Sequence, residues 1–197
     1  MIQLRLIDTA DLQSAESLYI ASFPPEERRP WSEIADTASE PALYGLYDGD
    51  NAFAGFITVW IFGAFAYVEH FAVDPSKRGG GIGAKAMAEL RRMLGVPVVL
   101  EVEPSDHPDP MAARRIAFYE RCGFTLLDYP YVQPPYAPGL PSVPLCLMVS
   151  DTALDPSDIS ATLHTEVYKQ ADLISCINRL KKAARRCCSV GRIGFRI

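Results

Sequence analysis

With 197 residues, 49% hydrophobic and 22% charged, the chain has side chains enough for one sizeable core, and no apolar run reaches membrane-spanning length. All 24 acidic residues lie at or before Asp172, whereas seven basic ones crowd residues 179–196, so the body is strongly acidic. That balance disfavours nucleic acid and draws cationic molecules, while the scattered histidines (His70, His107, His164) and five cysteines lack metal-ligand spacing and predict free thiols and no metal.

The opening "MIQLRLID" is too short and too charged for a signal peptide, so a cytoplasmic location is expected; "QLRLID" alternates as a strand does. In "TADLQSAESLYIASF", Leu12, Ala15, Tyr19 and Phe23 fall at helical spacing until Pro24 and Pro25 stop the helix. A short helix from Trp31 to Ala38 follows "PPEERRPW". "ALYGLYD" and "AFAGFITVWIF" flank the turn "GDN" as a hairpin, and "AYVEHFAV", Ala66 to Val73, is the next strand. A glycine-rich loop then leads into a helix whose apolar stripe is Ile82, Ala86, Leu90 and Met93. Beyond it come the strand "VPVVLEVE" and a helix from Met111 to Cys122, capped by Gly123. "FTLLDYPY" reads as a strand, and the proline-rich "VQPPYAPGLPSVP" separates it from a last strand, "LCLMVS". Ile159, Leu163, Val167 and Leu173 to Leu180 continue as helix. The expected organisation is a domain over 1–150 and a helical extension with a basic tail over 151–197. Strands and helices alternate through antiparallel and parallel connections, which predicts an α+β fold on a mixed sheet.

The stretch "VDPSKRGGGIGAKAMAEL" holds four glycines in five positions directly before its helix. Glycine is costly to order and is kept where φ is positive or a ligand approaches closely. The unpartnered N–H groups of the helix start make such a loop an anion cradle. A P-loop is excluded because Ala84 stands between Gly83 and Lys85. Gly79, Gly81 and Ala84 fit the dinucleotide fingerprint, with Glu101 about 20 residues on, but Asp74 to Arg78 separate strand from glycine where that turn should be tight. Arg78, Gly81 and Gly83 fit R-x-x-G-x-G. With "FAV" before them, "VLEV" at Val99 to Val102, and "AFYERCGF" at Ala117 to Phe124, the chain resembles the GNAT superfamily of N-acetyltransferases.

The resemblance implies a GNAT-like fold, a twisted, mostly antiparallel mixed sheet flanked by helices. It implies direct transfer of acetyl from acetyl-CoA to a primary amine of a small molecule or peptide, with no metal. Phe71, Ala72 and Val73 would pair with the pantetheine, Arg78, Gly79, Gly80, Gly81, Ile82 and Gly83 would cradle the pyrophosphate, and Tyr119 would protonate the leaving thiolate. Many relatives have asparagine and alanine where this chain has Ala112 and Arg115, so a cofactor contact is missing or rebuilt. Two alternatives stand beside this reading: a non-catalytic acyl-CoA-binding regulator and a nicotinamide-dependent oxidoreductase.

An amine of pKa about 10.4 must lose a proton to attack, and carboxylates are the available bases. Glu69 is the first choice, expected on the strand face of Phe71 and Val73 and raised in pKa by desolvation, with His70 packed on the opposite face. Glu101, which matches the glutamate of the family's "LEV" segment, is the second, and Glu103 shares its face. Tyr119 also lies on a stripe with Ala112 and Ile116, which suits a core tyrosine equally, and Cys122 reads as a buried thiol. "SFPPEERRPW" and "YVQPPYAPGLPS" are the expected acceptor walls, with Trp31, Tyr131 and Tyr136 as cation-stacking candidates. The expected partner is a cationic amine, with no nucleic acid or membrane, and a homodimer is allowed.

Overall fold

Eight strands and five α-helices are built from these patterns in a computed structural model that describes residues 2–36 and 38–170. The helix expected over Leu173 to Leu180, the basic tail, and Cys176, Cys187 and Cys188 lie outside the described residues. The strands are β1 (Gln3–Leu6), β2 (Ala42–Tyr47), β3 (Phe53–Ile61), β4 (Ala66–Val73), β5 (Val98–Val102), β6 (Thr125–Leu126), β7 (Tyr131–Gln133) and β8 (Val143–Val149). The helices are α1 (Leu12–Ser22), α2 (Trp31–Ile34), α3 (Ile82–Leu94), α4 (Met111–Arg121) and α5 (Pro156–Thr162), the last followed by a π turn, Leu163–Val167. The chain divides at Pro156 into two compact units.

The sheet order is β1-β2-β3-β4-β5-β8-β6, with β7 also on β8. Every pair is antiparallel except β4 with β5. The dinucleotide reading thereby loses the parallel sheet it needs. One face carries α3 and α4, whose Ala86, Met87, Leu90, Ile116 and Tyr119 meet Ile57, Val59, Val68, Leu100 and Met148. The other carries α1 and α2, with Ala15, Leu18, Tyr19 and Ile34 against Leu43, Phe56 and Ala72. The expected stripes are buried at Ala15, Tyr19, Ala86 and Leu90, but Met93 of α3 is exposed and Met87 is buried instead.

Two local features position the site. The parallel pairing is short: Ala66, Tyr67 and Val68 face Val98, Val99 and Leu100, and beyond them β4 and β5 no longer pair with each other, so the sheet opens between their C-terminal ends. The second is a bulge, because Val59 pairs with Val68 and Thr58 with His70, leaving Glu69 as the extra residue. A bulge resets the alternation of side chains. Phe71 and Val73 pack toward the α3 and α4 face, while Ala72 packs toward α1.

Three expected elements differ in extent. The second helix ends at Ile34, short of Ala38. The last strand begins at Val143 rather than Leu145. "FTLLDYPY" splits into β6 and β7, because the Leu127 N–H bonds Leu147 O at 2.9 Å and Tyr131 pairs with Leu145. Asp128, Tyr129 and Pro130 therefore span the single residue Cys146, and Pro130 has no N–H to give to a ladder.

Candidate active site

Glu69 sits at the bulge with a fully buried side chain. Its Oε1 accepts from Arg29 Nε at 3.1 Å, Arg29 Nη2 at 3.0 Å and the Tyr136 hydroxyl at 3.0 Å, and its Oε2 accepts from Trp60 Nε1 at 2.8 Å. Burial alone would raise this carboxyl, but the Arg29 guanidinium and the hydrogen bonds from Arg29 and Trp60 outweigh it and hold the group below the ordinary carboxylate range. Three expectations are corrected here. Glu69 does not share a face with Phe71 and Val73, since the bulge turns it toward Arg29 and Trp60, and its pKa moves down instead of up. Nor does His70 point away from it, since Nδ1 lies 4.0 Å from Glu69 Oε2.

His70 is buried between the Tyr19 and Phe23 rings, with centroids at 4.8 Å from each. Its Nε2 lies 3.1 Å from Glu27 O, which only accepts, so Nε2 carries the proton and Nδ1 accepts from Thr58 Oγ1 at 3.2 Å. Desolvation lowers its pKa, so the ring is neutral and structural.

Glu101 lies on β5 on the other side of the opening. The hydroxyls of Tyr67, at 2.6 Å, and Tyr131 donate to its two oxygens. Burial first, then Glu101, pushes both phenols well above their ordinary range, so they remain donors. Glu103 is paired with Arg115 of α4. Glu27, in the 3-10 turn Pro25–Glu27, completes a second carboxylate group: burial and then the Glu103 charge raise its pKa, while Arg115 works the other way. The Glu27 carboxyl takes no hydrogen bond or ion pair among the described residues.

Tyr119 faces the same pair. Its ring is 7% exposed, packed edge-on against Phe118 and Phe124 with centroids at 5.1 and 5.8 Å. Burial lifts the phenol above its ordinary range, and Arg115 and Glu103 act on it from opposite directions. The hydroxyl finds no hydrogen-bond partner among the described residues. Ala112 and Ile116 are buried on the same stripe of α4, so the stripe is core.

Across the opening, the glycine loop enters α3. Gly81 is the N-cap at φ 71°, and the first bond of the helix runs from Lys85 N–H to Gly81 O at 3.1 Å. The N–H groups of Ile82, Gly83 and Ala84 thus have no intrahelical acceptor. Arg78 folds its Nε onto Val73 O at 3.0 Å, tying the loop to the end of β4. A Cβ at Gly79, Gly80 or Gly81 would meet open space, whereas one at Gly83 would lie 3.2 Å from Phe118 Cζ. Gly83 is therefore also a packing glycine, admitting the Phe118 ring, which stacks on Phe71 at 6.5 Å.

The aromatic candidates are engaged by the protein itself. Trp31 packs on Tyr19 at 5.6 Å, Tyr131 serves Glu101, and the cation beside Tyr136 and Trp60 is Arg29, at 5.3 and 5.1 Å from their ring centroids. Sequence reasoning missed Arg29, Trp60 and Glu27. The signal was present in "PPEERRPW", where a doubly charged run bounded by prolines is ordered by partners 40 residues away. Among the described residues no group of three His, Cys, Asp or Glu is placed to hold a metal, and no helix is long and apolar enough to cross a membrane.

A sheet opened at one parallel pair beside a glycine-fed helix start is the frame of an acyl-CoA-dependent acyltransferase. A family model described as the acetyltransferase (GNAT) family matches residues 10–124, and the chain belongs to that family. It is similar to a solved structure from Bacteroides thetaiotaomicron named "Putative acetyltransferase from GNAT family", with 40% identity, a TM-score of 0.73, and coverage of 84% of this chain and 98% of that one. The curated "Putative acetyltransferase YjbC" of Bacillus subtilis (strain 168) is 30% identical over 99 residues, and that match spans about half of either chain (50% each). The ribosomal-protein-S18-alanine N-acetyltransferase of Escherichia coli shares the fold, at 24% identity, a TM-score of 0.54 and coverage of 76% and 92%.

Proposed function

We propose that the domain over 1–150 transfers an acetyl group from acetyl-CoA directly to a primary amine of a small molecule or peptide. The observation that carries this is the opening between β4 and β5, with an unsatisfied helix N-terminus on one side and, on the other, a Tyr119 hydroxyl that takes no hydrogen bond among the described residues. Acetyl-CoA, when bound, supplies a thioester acyl group. The N–H groups from Gly79 to Ala84 and the guanidinium of Arg78 hold the pyrophosphate, and the backbone of Phe71, Ala72 and Val73, paired with β3 on one side and not with β5 on the other, aligns the pantetheine. Glu27 takes the proton of the incoming ammonium, because it is half-buried, unpaired among the described residues and raised in pKa. The neutral amine forms the new C–N bond, the C–S bond breaks as Tyr119 gives its proton to the departing thiolate, and the second proton, shed by the nitrogen as it becomes an amide, restores the Tyr119 phenol. Glu69 and Glu101 position the acceptor walls: Glu69 through Arg29 and Tyr136, Glu101 through Tyr131.

The test is acetyl-CoA turnover against amino acids, peptides, polyamines and aminoglycosides, with Gly80→Val as the cofactor control. Gly80 has no positive φ and a Cβ there meets nothing, so the variant folds normally. It should nonetheless weaken acetyl-CoA on the order of 10- to 100-fold, the worth of one hydrogen bond to a charged phosphate. Calorimetry measures this directly, and unchanged affinity would remove the cradle assignment. Gly83→Val is the poorer choice, since a collision with Phe118 would confound it.

A further inference from the structure

We propose that Gln133 reads the acceptor: its side-chain amide donates to a carbonyl oxygen of the substrate, so the preferred amine belongs to a peptide or amino-acid amide and not to a polyamine. Gln133 is 3% exposed, and its Nε2 has no hydrogen-bond partner among the described residues. Buried polar groups are almost always paired, and an orphan donor calls for an acceptor that arrives with a ligand.

The location supports this. Gln133 ends β7, and the alternation of buried Tyr131, exposed Val132 and buried Gln133 puts the amide on the face from which Tyr131 reaches Glu101. Two residues of strand make the separation about 7 Å. Three residues further on, beyond Pro134 and Pro135, the Tyr136 hydroxyl reaches Glu69. The amide is thus bracketed by the two side chains that link this wall to the glutamates flanking the opening. An N–H group selects for an oxygen, which the methylene and ammonium groups of a polyamine do not offer. The carboxylate of Glu101, held by the hydroxyls of Tyr67 and Tyr131, opposes a second anion, which favours an uncharged carbonyl over a free carboxylate.

This inference rests on the acetyl-transfer reading, and Gln133→Leu tests it with three acceptors: an amino-acid amide, a short peptide and spermidine. The wild type should prefer the first two. The variant should raise KM about tenfold for both with little change in kcat, as loss of one hydrogen bond predicts, and leave spermidine unchanged. Its melting temperature should not fall, because leucine fills the space without an orphan donor. A KM change shared by all three acceptors, no change with any, or a clear loss of thermal stability would overturn the assignment. A wild type that acetylates spermidine alone overturns it while leaving acetyl transfer intact; a wild type inactive on every amine overturns both.

Discussion

Arg29→Met should destabilise the protein by about 3–5 kcal/mol, because it strands the Glu69 carboxylate in a site where, among the described residues, no other cation is bonded to it. Arg29 is 8% exposed and the Glu69 side chain fully buried, so water cannot take over the charge. Arg29→Met combined with Glu69→Gln removes both charges and should recover most of the loss, since Trp60 and Tyr136 can still bond the amide. The pH dependence has a definite sign. A carboxyl held below its unfolded value contributes stability that is present above that value and lost as pH falls through the folded one. Glu69→Gln should therefore unfold less steeply in acid than wild type. Denaturant midpoints at pH 7 and at pH 4 measure both effects, and a loss below about 1 kcal/mol in Arg29→Met would mean the pair is solvated like a surface bridge.

The same pair explains what could be read from the chain and what could not. The glycine loop was legible because its signal is local: Arg78 to Gly83 are contiguous, and the helix they enter announces itself by its stripe. The orientation of Glu69 was not, because a one-residue bulge leaves no mark on a period-two pattern and still reverses which face the residue serves. Arg29 and Glu27 were hidden for a different reason. They lie in a loop without periodicity, and their positions are set by His70 and Glu69, roughly 40 residues on, through side chains whose partners only the fold brings together. Tyr119 falls between these cases. Its stripe was legible as core, and it is core; only a hydroxyl without a partner among the described residues distinguishes a site residue from a packing one.

Tyr119→Phe should lower kcat by about 10² to 10⁴ with acetyl-CoA affinity unchanged, since a proton given only as the thiolate leaves stabilises the transition state alone. The retained ring keeps its contacts with Phe118 and Phe124, so stability should hold. Burial raises the phenol but also raises the proton affinity of a thiolate in the same apolar surroundings, so the transfer stays feasible. Glu27→Gln separates the base from the acid. In wild type, kcat/KM should rise with pH through the Glu27 ionisation, displaced above the ordinary carboxylate range. In Glu27→Gln that limb should vanish, neutral-pH activity should fall by a similar factor, and activity should recover partly toward pH 10 as more of the amine is already neutral. A raised carboxyl contributes stability below its unfolded value and loses it as pH rises through the folded one, so Glu27→Gln should be at least as stable as wild type at pH 7. Full pH–rate profiles of both variants with the best acceptor decide between the assignments. If Glu27→Gln keeps the acidic limb, the base is another group and Glu101 is the next to test; if Tyr119→Phe keeps its kcat, water protonates the thiolate and Tyr119 serves the core alone.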